Sequence, residues 1–278
     1  MNERLNQTMI DEFAKSVKIG LVATIDETGG PHVTVLSTLM GKGTDRMMLG
    51  KFVEGLSKEF ILVRPKTGFL IMNPQKKFWY GTMTYQEEKK EGDDYVAYNN
   101  QPLYRYNSYF GINTVYYFKL NKISDENVLP MGTIVKNAIK VLFAKHRFVD
   151  KTRRDVMKPW AEGFIGKLDT LKFLSYVGDD GYPQILPVIQ AQSAGSSRIL
   201  LKNDPYGDWM TPIKKGMKIA ILAFSMTMET VLVKGTFSGF DAKGYGYLDI
   251  ERVYNSMPPV HGYVYPPEAK QEVKFDRS

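Results

Sequence analysis

The sequence predicts a mainly β protein built from two copies of one small antiparallel barrel. Three observations predict it. Landmarks recur about 150 residues apart, apolar runs are short and bounded by turn residues, and aromatic residues, which favour strands, reach 13%. The length of 278 residues itself suggests two domains at about 150 residues each.

The repeat comes first. Ile19-Gly-Leu-Val-Ala-Thr-Ile-Asp-Glu-Thr-Gly-Gly-Pro31 is echoed by Leu171-Lys-Phe-Leu-Ser-Tyr-Val-Gly-Asp-Asp-Gly-Tyr-Pro183. Pro31 and Pro183 are 152 residues apart, as are Arg46 and Arg198; Gly81-Thr82 and Gly235-Thr236 are 154 apart. Tyr106-Asn107-Ser108 returns as Tyr254-Asn255-Ser256, offset 148. Landmarks kept in one order at a domain-sized period indicate duplication, not a solenoid. The division expected is a first barrel over 1–128, a basic helical connector over 129–158 and a second barrel over 159–278.

In the first copy, Leu5, Met9, Phe13 and Val17 fall four apart on one helical face, and Gly20 stops the helix. Leu21–Ile25 reads as a strand, Asp26–Pro31 as a turn, His32–Leu39 and Arg46–Leu49 as strands. A short helix is expected over Val53–Leu62. Strands follow at Phe69–Met72, Phe78–Tyr85 and Val115–Leu120, with Gln86–Tyr95 a charged hairpin extension. The second copy offers strands near 172–177, 184–191, 198–202, 218–224 and 230–238. In the connector, Thr133 suits the N-cap of a helix over Ile134–Phe148, Thr152 caps another turn, and Pro159 opens a last helix.

Charge is concentrated in that connector. Lys136 to Lys158 holds eight basic residues and two acids, so it carries +6 of the net +7. Basic residues in one helical stretch read as a solvated face. Charge alone is a weak case for nucleic acid, and no nucleic-acid partner is expected. The absence of cysteine excludes disulfides, thiolate metal sites and cysteine nucleophiles. The longest apolar run, Ile219–Phe224, is far below the ~20 residues that span a bilayer, and the acid at Glu3 argues against a signal peptide. The expectation is a cytoplasmic protein with no membrane contact.

His-Glu-x-x-His, Gly-x-Ser-x-Gly and Walker signatures are missing, and Gly41-Lys-Gly-Thr44 lacks the upstream glycine of a phosphate loop. His32, His146 and His261 have no metal-ligand spacing, so no metal site is expected. His261 lies in the turn-rich Pro258–Gly262 stretch after the repeated Tyr-Asn-Ser, where a substrate pocket could open.

The order of helix, strand, Asp-x-x-Gly-x-Pro turn, two strands and a Ser-Lys segment resembles the pyridoxamine 5′-phosphate oxidase-related FMN-binding split barrels. The residues that carry it are Leu21–Ile25, Asp26–Pro31, Arg46-Met-Met-Leu-Gly-Lys51, Ser57-Lys58 and Tyr80-Gly81. The resemblance implies two six-stranded antiparallel split barrels in tandem with peripheral and connector helices. It implies FMN held between paired barrels, as a pseudo-dimer within the chain or a homodimer. Gly50, Lys51, Ser57 and Lys58 match the phosphate-binding segment, Thr34, Val35, Leu36 and Ser37 the strand along the flavin ring, and Lys76 a polar contact.

A phosphate dianion is well served by lysine ammoniums, a hydroxyl and close backbone. The function implied is an FMN-dependent oxidoreductase acting on a small-molecule redox substrate. The alternative is a non-catalytic flavin or haem binding module with a degenerate site. Thr34 and Leu39 stand where the oxidase proper has an arginine and a lysine, which argues against pyridoxamine phosphate as substrate. The second copy has Asn203-Asp-Pro-Tyr-Gly-Asp-Trp209 in place of the Ser-Lys segment, so the first copy is expected to hold the phosphate.

Overall fold

The computed structural model describes residues 1–102, 104–105, 111–227, 229–255 and 261–267. Two compact units emerge: Met1–Gly29, Thr34–Leu129 and Gly178–Ile185 form the first; Gly30–Val33, Pro130–Val177 and Leu186–Ser278 form the second.

The first sheet opens with helix α1 (Gln7–Ala14), capped by Asn6, whose Oδ1 accepts from the Met9 N–H at 2.9 Å. Leu5, Met9 and Phe13 are buried as the spacing of four requires, but the helix stops before Val17, which is 66% exposed. Its strands are β1 (Ile19–Ile25), β2 (Pro31–Val35), β3 (Met40–Lys42), β4 (Arg46–Lys51), β5 (Lys66–Met72), β6 (Lys77–Lys89), β7 (Thr114–Ile123) and β8 (Asn127–Val128), with α2 (Leu56–Val63) after β4 and α3 (Asp93–Asn99) after β6. Gly20 lies inside β1 and does not end the helix. A Cβ there would come within 2.5 Å of the Leu36 carbonyl oxygen, so the glycine permits a close strand approach. The expected turn holds: Asp26 Oδ1 accepts from the Thr28 N–H at 2.9 Å, and Gly29 takes φ +79°. The charged hairpin extension is found up to Lys89, with Gln86, Glu88 and Lys89 exposed, and the structure departs from it only further on. β6 runs on to Lys89, paired with β7, and Asp93–Asn99 is helical.

The second unit carries α4 (Met131–Ala144), a 3-10 turn over Lys145–Phe148 and α5 (Pro159–Gly166). Its sheet comprises β9 (Leu171–Val177), β10 (Pro183–Pro187), β11 (Gln192–Ser193), β12 (Arg198–Lys202), β13 (Lys218–Phe224), β14 (Thr230–Phe237), β15 (Tyr245–Asn255) and β16 (Gly262–Tyr265), with α6 (Gly207–Met210) after β12. α4 starts two residues before Thr133, behind Pro130, so Thr133 is an interior residue and not its cap. Thr152 donates to Asp150 in a turn without a following helix, whereas Pro159 takes the first helical position as expected.

The fold is mainly β, with two antiparallel eight-stranded sheets. The main path reads β2-β1-β5-β6-β7-β4-β3 in one and β10-β9-β13-β14-β15-β12-β11 in the other, the same order shifted by eight strands. The sheets differ in the strand off this path, β8 on β6 against β16 on β15. Six longer strands make up each sheet, and β3 and β8, or β11 and β16, are short additions to the six expected.

The repeated glycines now have a physical reason. A Cβ on Gly81 would lie 2.1 Å from the Lys122 oxygen, and one on Gly235 1.9 Å from the Asp249 oxygen. Both sit beside a register shift against the next strand, where two backbones crowd together. The repeated arginines also act alike. Arg46 pairs with Glu87 and lies over the Tyr117 ring, while Arg198 pairs with Asp249 and lies over Tyr247. Each unit has its own apolar core. Phe13 meets Trp79 edge-on at 5.5 Å over Val22, Leu49, Phe69 and Phe118 in the first. Phe164 and Ile165 of α5 cover Leu174, Ile221, Val233 and Leu248 in the second.

Candidate functional site

The expected phosphate segment falls at the corner where β4 leaves the first sheet and α2 begins. The N-cap of α2 is Gly55, which supplies no side-chain oxygen to the first-turn N–H groups. Ser57 and Lys58 follow, 1% and 5% exposed. Burying a lysine head removes its ammonium from water, a costly step without compensation. No hydrogen bond or ion pair to the Lys58 ammonium exists among the described residues. Burial pushes it down to about 8; the nearby Glu54 carboxylate opposes this and Lys51 adds to it. A Cβ built on Gly55 would be 3.5 Å from Lys58 Nζ, so the ammonium lies against the helix start.

Ser57 and Thr34 share a hydrogen bond of 2.8 Å between their hydroxyls. This ties the end of β2 to α2 and gives the Thr34 side chain a role at the corner. Lys51 ends β4 and pairs with Glu54 at 2.9 Å. Glu54, 70% exposed at its side chain, is an acid the sequence reading did not weigh at this corner. Gly50 accepts from Thr38 Oγ1 at 2.7 Å through its carbonyl, and its bare Cα faces Ile112. Tyr98 of α3 in turn donates to the Thr38 carbonyl at 2.7 Å. Thr38 and Tyr98 therefore position the end of β4. Neither carries a sequence signal, because the contacts span 12 and 60 residues.

The second strand is shorter than expected. β2 ends at Val35, and Leu36 and Ser37 lie in the turn that follows. The Leu36 N–H already donates to the Gly20 carbonyl at 2.7 Å, so it has no donor left for a ring. Val35 and Ser37 are half-buried. Lys76 stands elsewhere, in the exposed β5–β6 turn at φ +64°, with its N–H on the Asn73 carbonyl. No hydrogen bond or ion pair joins it to the α2 corner among the described residues.

The corresponding corner of the second unit is built differently. Lys202 ends β12, as Lys51 ends β4, but its ammonium donates to the Lys243 carbonyl at 3.0 Å and lies over the Tyr245 ring. Trp209, at the step of Lys58, stacks on Tyr206 at 5.3 Å and 15°. Asp204 accepts from Asn137 of α4 at 2.8 Å, and Gln190 donates to the Lys202 carbonyl at 2.8 Å. Leu186 takes the place of Thr34 and is buried. The lysine and the amide N–H groups of this corner are engaged by their own neighbours, while the Tyr206 hydroxyl, Gln190 Oε1 and Asn137 Oδ1 are buried without a hydrogen-bond partner among the described residues.

The histidines separate. His32 is fully buried in β2, and His146 is exposed in the 3-10 turn. His261 is half-buried, with its ring 6.0 Å from that of Tyr254. Tyr254 and Asn255 end β15, paired with Tyr263 and Gly262. Tyr106-Asn107-Ser108, Ser256 and Pro258–Val260 lie outside the described residues. Among the described residues no group of three or more His, Cys, Asp or Glu side chains could hold a metal.

No protein-family model matches the sequence, and no curated protein matches it. Several solved structures do resemble it. HupZ of Group A Streptococcus aligns at 18% identity and TM-score 0.36, over 43% of this chain and 91% of its own. An FMN-binding protein from Syntrophomonas wolfei aligns at 19% and 0.35, over 44% and 84%. A Clostridium acetobutylicum protein related to general stress protein 26, of the pyridoxinephosphate oxidase family, aligns at 17% and 0.31, over 45% and 92%.

Proposed function

We propose that this protein binds FMN through the α2 corner of its first unit and serves as a flavin-dependent oxidoreductase for a small-molecule substrate. The observation that carries the reading is Lys58: a buried ammonium without an acceptor among the described residues, beside the Thr34–Ser57 hydroxyl pair and the uncapped start of α2. A phosphate dianion would supply the missing charge. It would accept from Lys58 and Ser57, take further charge from Lys51 and meet the positive end of the helix. Glu54 would remain on Lys51 at the exposed rim. Thr34 would hold the Ser57 hydroxyl in place, and Thr38 would fix the end of β4.

Bound flavin would supply the two-electron chemistry, and the protein would supply position and charge. The half-buried Val35 and Ser37 border the stretch along which the ring would lie. The second unit, with Trp209 in place of the lysine, would bind no phosphate.

The test is a titration with FMN, FAD and riboflavin, read by flavin fluorescence and by the shift in melting temperature. FMN should bind far more tightly than riboflavin, since the corner recognises the phosphate. Equal affinities, or none, would refute the assignment. A flavin spectrum in the purified protein followed by an NAD(P)H oxidation assay separates an enzyme from a non-catalytic flavin module, and a Soret band on added haem would mark the haem alternative.

A further inference from the structure

The connector helix α4 has two apolar faces, and only one is used. Ile134, Ala138, Val141 and Ala144 are buried, with Val141 and Ala144 against Ala194 and Leu200 of the second sheet. Val135, Ile139, Leu142 and Phe143 are exposed at 51%, 46%, 37% and 79%. At 100° per residue these four fall in one stripe about a quarter of the circumference wide. Lys136 and Lys140, both exposed, run along its edge, and Lys145 and Arg147 continue the charge beyond the helix. From Met131 to Val149 there is no acid. None of these four cations joins an ion pair among the described residues.

We infer that α4 is a peripheral membrane-docking element that rests its Val135–Ile139–Leu142–Phe143 stripe on an anionic lipid surface. Charge decides the occupant. A second copy of the chain would set this acid-free basic helix against itself, and four side chains fall well short of the ~20 residues a side of a stable protein interface. An anionic bilayer accepts both parts: the apolar side chains enter the headgroup region, and the lysines meet lipid phosphates and carboxylates. No helix among the described residues is long and apolar enough to cross a membrane, so α4 would lie in the interface. The expectation of no membrane contact rested on spanning segments and a signal peptide, neither of which bears on an interfacial helix. The inference is independent of the flavin reading.

The experiment is co-sedimentation of the full chain with vesicles of phosphatidylcholine alone or with one third phosphatidylserine, at low and raised salt. The expected result is binding to the anionic vesicles only, released by salt. Phe143→Glu should abolish it, and Lys136→Gln with Lys140→Gln should weaken partitioning by about fivefold per lysine. Both changes are on solvent-exposed positions, and an unchanged melting temperature verifies folding. Failure to bind, equal binding to neutral vesicles, or indifference to Phe143→Glu overturns the inference. So does a dimer in size-exclusion chromatography that Phe143→Glu splits, since the stripe would then belong to a second copy.

Discussion

Lys58 and Trp209 stand at the same step of two sheets with the same strand order, and they solve opposite problems. Trp209 is at rest. Its ring stacks on Tyr206, the loop before it is held by Asn137 and Gln190, and Lys202 is spent on a carbonyl and an aromatic face. Lys58 is buried without a hydrogen bond or ion pair among the described residues, and burial, only partly opposed by Glu54, pushes its ammonium down to about 8. A fold can tolerate such a group where a ligand compensates it. The contrast teaches that equal topology does not mean equal sites. The same corner holds a stacked tryptophan in one unit and a buried lysine without a hydrogen-bond acceptor among the described residues in the other.

The largest effect that would break this comparison is Lys58→Glu. Reversing the charge should reduce FMN affinity by more than about 100-fold, since a charged hydrogen bond contributes roughly 1.5–3 kcal/mol and the carboxylate adds repulsion. Riboflavin affinity, measured in parallel, should hardly move. Trp209→Glu should leave FMN affinity within about twofold; a large loss there would mean that the two corners are not so different.

Next come the paired glycines. Gly81→Ala and Gly235→Ala each drive a Cβ into a backbone oxygen and should each cost about 1–3 kcal/mol, seen as a lower melting temperature. If one is tolerated, the local repeat of backbone geometry fails.

The pH dependence comes third. The folded Lys58 ammonium titrates near 8 and an unfolded lysine near 10.5, so the unfolded chain holds more protons between those values. Stability of FMN-free protein should therefore rise with pH across 8 to 10.5, with the burial penalty fully present below 8. Lys172 adds to this slope from about 7 upward, since burial lowers it too, although it donates to the Lys167 and Ile189 carbonyls. Denaturant melts of Lys58→Met should show higher stability at pH 7 and a shallower slope. FMN affinity should fall above pH 8 in the native sequence and lose that dependence in Lys58→Met.

The smallest effect is at Thr34. Thr34→Val removes one hydroxyl bond of about 1 kcal/mol and should weaken FMN about fivefold by loosening Ser57.

Much of the fold was legible because its signals are local. Alternating and continuous apolar runs mark strands, Asp26 and Gly29 mark a turn, and Pro159 marks a helix start. The repeated Arg46 and Arg198 could be aligned before their partners were known. Where the reading slipped, a distant partner had overridden a local cue. Gly20 looks like a helix stop, but it makes room for Leu36. Asp93–Tyr95 reads as the tip of a solvated hairpin extension, but it opens the helix whose Tyr98 donates to the Thr38 carbonyl. Thr133 has the chemistry of a cap, but the helix begins behind Pro130.

The candidate site divides in the same way. Sequence by itself determined the residue types at the corner, a lysine and serine after β4 in one copy and Asp208-Trp209 in the other. It also determined that the charge is concentrated in the connector. Only the tertiary structure decided that Lys58 is buried without an acceptor among the described residues, that Thr34 reaches Ser57, and that Glu54 offsets Lys51. It alone decided that one face of α4 is left exposed. The reason is physical: composition and periodicity report what a residue can do, but burial and long-range hydrogen bonds depend on which other segments fold against it.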